Sequence, residues 1–102
     1  MVNGTQVLKS YFVYILECSN GAYYTGYTTD IERRYQEHLD GSFKCKYTRS
    51  FPPKRIAACW EIEGDLSTAL KLEKRIKLLP RSDKDRLITD SSFFETLKTS
   101  SA

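Results

Sequence analysis

An α+β domain, with a small three-stranded sheet, flanking helices and the order β-β-α-β-α-α, is the fold this sequence predicts. Three observations carry that expectation. Residues 11–18 read YFVYILEC, a nearly continuous run of β-branched, aromatic and aliphatic side chains. Residues 22–28 read AYYTGYT, a second aromatic run set off by Ser19-Asn20-Gly21, a strong turn signal. Further along, helical periodicity appears in segments that begin at Thr or Asp and stop at Gly or Pro.

The first run predicts a strand covered on both faces, because nothing in it alternates with polar residues. The second closes a hairpin, and two registers are open. With Asn20-Gly21 as a two-residue turn, Tyr14 and Tyr24 project from opposite faces. With a three-residue loop and a left-handed Gly21, Leu16 faces Tyr24, Tyr14 faces Gly26, and both tyrosines share one face. Gly26 would then leave space beside Tyr14 for a ligand. Thr29-Asp30 offers an N-cap for a helix over 31–39 that ends at Gly41. Residues 42–53 read as a basic loop closed by Pro52-Pro53, and 55–62 (RIAACWEI) as the third strand. Residues 65–79 form the strongest helix and stop at Pro80. Ser82-Asp83 offers a cap for another helix through Ile88, and 91–98 adds a turn or two.

Composition bounds the function. The 102 residues, 40% hydrophobic and 28% charged, suit one modest core and exclude a disordered or collagen-like chain. No apolar stretch is long enough to cross a membrane, and the N-terminus lacks the pattern of a signal peptide. Cys18, Cys45 and Cys59 are odd in number and form no C-x-x-C, which fits reduced thiols in a cytoplasmic protein better than a disulfide or zinc framework. Net charge is +3, but residues 31–60 carry seven Lys/Arg against three Asp/Glu, so the basic character is concentrated past the hairpin. Such a stripe favours phosphate-bearing partners.

Helical wheels mark unusual polar positions. On the first helix Ile31, Tyr35 and Leu39 form the apolar stripe, with Arg34 and His38 on its edge. These two either pack as a snorkelling arginine and a satisfied histidine or serve a site. On the long helix Leu66, Ala69, Leu70 and Ile76 define the apolar face, and Glu73 falls within it, while Lys71, Lys74 and Arg75 point outward. An ionised carboxylate there needs a partner. The candidates are an ion pair with Arg34 or a metal-binding or catalytic role.

Val13-Tyr14-Ile15, ten residues before Tyr24-Thr25-Gly26, followed by Arg34, His38 and a helical Glu73, resembles the motif set of the GIY-YIG nucleases. The likeness covers residues 10–90, leaving a leader over 1–9 and a C-terminal turn and tail over 91–102. Together with Lys46-Tyr47-Thr48-Arg49, it is most similar to the small stand-alone bacterial members. Phe12 and Thr25 depart from the motif letters, and the family's Asn after the metal helix is absent, since Asn occurs only at 3 and 20; Ser82 or Asp85 lies in that region. Tyr27 stands where some members have Lys.

The resemblance implies metal-dependent hydrolysis of DNA phosphodiester bonds, selective for structure rather than sequence, in DNA repair or processing. RNA is a further possible substrate, and an accessory protein a possible aid to target choice. It implies that Tyr14 or Tyr24 takes or relays a proton from water and that Arg34 neutralises the phosphate. His38 would relay the proton or orient a tyrosine, and Glu73 would hold one Mg²⁺ or Mn²⁺. Lys44, Lys46, Tyr47 and Arg49, with Lys71, Lys74 and Arg75, would follow the phosphate backbone. The alternatives are a non-catalytic nucleic-acid-binding module or a protein-interaction module with the same fold.

Overall fold

The computed structural model describes residues 9–99. Three strands, β1 (Lys9–Cys18), β2 (Tyr23–Thr28) and β3 (Pro53–Gly64), form an antiparallel sheet in the order β2-β1-β3. Five helices accompany it: α1 (Ile31–Asp40), α2 (Lys46–Ser50), α3 (Leu66–Leu78), α4 (Arg81–Thr89) and α5 (Ser91–Thr99). The leader expected over 1–9 lies outside the described residues except for Lys9, the first residue of β1.

β1 is the central strand, and Val13 to Leu16 are all fully buried, as an uninterrupted apolar run requires. Its two faces have different duties. Val13 and Ile15 join Ile62, the α3 residues Ala69, Leu72 and Ile76, Leu87 of α4 and Phe94 of α5 in the hydrophobic core. Tyr14 and Leu16 point to the opposite face, where Tyr14 meets His38 of α1. Trp60 of β3 stacks on Phe94 at 4.6 Å with the rings nearly parallel, which fastens α5 to the sheet.

The hairpin adopts the second register. Tyr14 pairs with Gly26 and Leu16 with Tyr24, and the loop closes through Cys18 N–H donating to the Ala22 carbonyl at 2.8 Å. Gly21 sits at φ 86°, a left-handed conformation that glycine adopts without steric cost. Asp30 caps α1 by accepting from Arg33 N–H, and Asp65 caps α3 by accepting from Thr68 N–H.

Several sequence expectations are corrected. The basic loop over 42–53 contains the one-turn helix α2, too short to leave a periodic signal. α4 begins at Arg81 after Pro80, one turn position ahead of the proposed Ser82-Asp83 cap. On α1 only His38 is buried; Leu39 is exposed, so the stripe centres on the polar edge. On α3 Leu72 is buried whereas Leu66 and Leu70 are exposed, which turns the buried face and leaves Glu73 at its margin. Arg75 does not point outward: its guanidinium donates to the Leu97 carbonyl at 3.1 Å and ties α3 to α5.

Thr25 lies on the core side of β2, paired with Ile15 and 4% exposed, and its hydroxyl has no hydrogen-bond partner among the described residues. A buried hydroxyl without a partner costs about 1–3 kcal/mol. Thr25→Val keeps the branched shape and removes the polar atom. It is expected to raise stability by about 1 kcal/mol, read as a rise in Tm of roughly 4–8 °C by thermal unfolding. A lower Tm would show that the hydroxyl holds something.

Candidate active site

Tyr14, Tyr24, Arg34 and Glu73, with Gly26, Tyr27, Thr28, Thr29 and Phe43, line one open cleft of about 360 Å³. The strands place the two tyrosines on one face with ring centres 6.4 Å apart. Gly26 makes this possible in a way the sequence did not suggest. A Cβ there would stand 2.6 Å from Tyr14 Oη and 2.8 Å from Cζ, so the hydroxyl end of Tyr14 fills the place of a Gly26 side chain, and both residues line the cleft.

His38 does not reach the cleft. It is 1% exposed and lies behind Tyr14, with Nε2 3.0 Å from the Tyr14 hydroxyl and Nδ1 2.8 Å from the hydroxyl of Thr48. Thr48, also 1% exposed, donates its own proton to the Cys45 carbonyl at 3.5 Å. With that proton engaged, Thr48 Oγ1 offers His38 a lone pair. The consistent arrangement is Nδ1–H donating to Thr48 and a bare Nε2 accepting from Tyr14 O–H. Burial, aided by the Arg34 charge, lowers the His38 pKa to about 4, so the ring is neutral at neutral pH. Thr48 and Phe43 are site residues that sequence reasoning missed. Phe43 packs edge-on against His38 at 4.7 Å and lies under the Arg34 guanidinium at 4.0 Å.

Arg34 is held from several sides. Nε donates to Glu37 at 3.0 Å and Nη1 to the Tyr27 carbonyl at 3.1 Å, and the guanidinium charge acts on the nearby Tyr14 hydroxyl. These bonds leave N–H groups facing the cleft, in a fork suited to phosphate. Burial raises the Tyr14 pKa to about 12 even though Arg34 pulls it down. Burial raises the Tyr24 hydroxyl further, and its contact with the Cys45 thiol adds to the effect.

Glu73 pairs with Lys77, one turn along α3, at 3.6 Å, and not with Arg34. Its side chain is 14% exposed on the cleft wall. Among the described residues no cluster of three or more His, Cys, Asp or Glu forms a closed cage. One carboxylate beside two tyrosine hydroxyls is a sparse, hard-oxygen set. It fits a divalent cation that keeps most of its waters and leans on substrate oxygens. Asp85, in the region of the missing Asn, accepts from the Tyr23 hydroxyl at 2.5 Å, under an Arg81 guanidinium stacked on the Tyr23 ring, and does not line the cleft. Lys44, Lys46, Tyr47 and Arg49 are exposed on and beside α2, and Lys71 and Lys74 on α3.

Residues 10–86 match the GIY-YIG catalytic domain family. The chain is 41% identical over 80 residues to the UPF0213 protein BH0048 of Halalkalibacterium halodurans, covering 78% of this chain and 83% of that one. It is 38% identical over 93 residues to the UPF0213 protein YhbQ of Salmonella arizonae, covering 91% of each. The solution NMR structure of BH0048 from Bacillus halodurans superposes with a TM-score of 0.50 over the same shares, 78% and 83%. No helix among the described residues is long and apolar enough to cross a membrane.

The His38 environment sets a pH dependence. Its folded pKa, near 4, lies below the ordinary 6.5, so between these values the unfolded chain binds more protons. The contribution to stability is complete above about pH 6.5 and is lost as pH falls toward 4, amounting to about 3 kcal/mol. Urea unfolding at pH 7 and pH 4.5 is expected to show this loss, and His38→Gln to flatten it. An unchanged slope in the variant would place the titration elsewhere.

Proposed function

The chain belongs to the GIY-YIG family, a nuclease superfamily, and from the geometry around Tyr14 we propose that it hydrolyses phosphodiester bonds in DNA. The observation that carries this reading is the hydrogen-bond line Tyr14–His38–Thr48, 3.0 and 2.8 Å long, which ends in a cleft shared with Arg34 and Glu73.

The two tyrosines divide the work. Tyr14 is the one whose proton has a place to go, because His38 Nε2 faces its hydroxyl. Burial pushes the phenol up and the imidazole down, so moving the proton before attack would leave a phenolate and an imidazolium in a dry region. The transfer therefore coincides with attack: Tyr14 Oη takes the proton of the attacking water as its own proton passes to His38. Tyr24, held more firmly in its neutral form, donates a hydrogen bond to a phosphate oxygen. Arg34 binds the scissile phosphate and stabilises the charge that builds on it. Glu73 would hold a Mg²⁺ or Mn²⁺ ion, which supplies Lewis-acid stabilisation of the phosphate when bound.

Lys44, Lys46 and Arg49, with Lys71 and Lys74, provide backbone contacts that position nucleic acid without reading bases. Contacts of this kind favour selectivity for DNA structure over sequence.

Purified protein with Mg²⁺ or Mn²⁺ is expected to cut at least one member of a panel of duplexes, flaps, junctions and single strands. Tyr14→Phe and Glu73→Ala should each lower the rate by about 100-fold or more. An intact panel, with binding that survives Glu73→Ala, would instead support the non-catalytic module. Thr48→Val, which removes the acceptor for His38 Nδ1–H, should lower kcat roughly tenfold with KM unchanged, and Thr48→Ser should restore it. Equal losses in both variants would count against orientation through the hydroxyl.

A further inference from the structure

Outside the cleft, α2 presents an aromatic pair to solvent. Tyr47 is 37% exposed and Phe51 39%, with ring centres 5.4 Å apart. Neither ring belongs to the core. Both are fixed from the hairpin loop. Asn20 donates to the Tyr47 hydroxyl at 2.8 Å, and Ser19 N–H donates to the Pro52 carbonyl, next to Phe51, at 2.8 Å. A partly exposed aromatic pair tied down by polar bonds presents a fixed face to a ligand.

Charge identifies that ligand. From residue 41 to residue 60 the chain has no Asp or Glu, and Lys44, Lys46 and Arg49, close to the pair along the chain, are exposed. A polyanion with flat apolar faces fits rings among cations. An acidic protein would match the charge, but a polynucleotide supplies negative charge and flat aromatic faces in one repeating unit. In a duplex the base faces are covered by their neighbours, so an exposed ring needs an unpaired base. Position agrees. Cys45, the N-cap of α2, contacts the Tyr24 hydroxyl at the cleft, and Thr48 on the inner side of the same turn bonds His38.

We propose that Tyr47 and Phe51 form a stacking platform for an unpaired nucleotide, so that the substrate carries a single-stranded segment beside the scissile phosphate. The binding claim stands on the platform itself. Only its placement next to the cut rests on the nuclease reading above.

The test is fluorescence anisotropy in EDTA at fixed salt, with single-stranded DNA, single-stranded RNA and a blunt DNA duplex of equal length. Tyr47→Ala and Phe51→Ala are each expected to weaken single-strand binding roughly tenfold and to leave the duplex within about twofold. Tyr47→Phe, which keeps the ring and loses the Asn20 bond, should bind more weakly than the parent and more tightly than Tyr47→Ala, which separates the ring from its tether. Quenching of 2-aminopurine in the single strand should disappear in the alanine variants. The two single-stranded arms tell DNA from RNA. Equal loss on duplex and single strand, or no loss in either alanine variant, overturns the platform. Selective single-strand binding without cleavage under Mg²⁺ or Mn²⁺ would support the platform while the nuclease reading fails.

Discussion

The hydroxyl end of Tyr14 lies so close to Gly26 that any side chain there would collide with it, since a Cβ would come within 2.6 Å of the hydroxyl. This close approach ties the hairpin register to the chemistry. A slip of one residue in β1 against β2 would turn Tyr14 to the other face and leave His38 without its partner. With the register held, the hydroxyl of a 1% exposed side chain meets Nε2 of a 1% exposed histidine, and the remaining groups gather around that contact.

The sheet divides its faces to keep this possible. The Val13 and Ile15 side carries α3, α4 and α5 on a conventional apolar core. The Tyr14 side is covered by α1 and α2, whose inward groups are His38 and Thr48. A polar line through a dry region is tolerated because each member has a partner, and the same dryness separates the two pKa values. Arg34 is held beside the line by Glu37, the Tyr27 carbonyl and the Phe43 ring.

α2 gives one helical turn two jobs. Thr48 faces inward to orient His38, while Tyr47 and Phe51 face outward among cations. A five-residue helix has little stability of its own. Its position comes from the Asn20 and Ser19 bonds of the hairpin loop, so the turn that sets the strand register also seats the helix behind the active histidine.

The amino-acid sequence by itself determined the three strands, the helices that carry caps and stops, and the spacing of Tyr14, Tyr24, Arg34, His38 and Glu73. These are local properties: periodicity, turn residues and intervals along the chain. Tertiary structure decided the rest. It chose between two hairpin registers that periodicity treats alike. It turned α3 so that Leu72 is buried and Leu70 exposed, because the buried face is set by what packs on it and not by where leucines fall. It assigned Glu73 to Lys77 instead of Arg34, and Arg75 to the Leu97 carbonyl. It also brought in Thr48 and Phe43, since a threonine and a phenylalanine in a basic loop carry no signal until a histidine from another element lies against them.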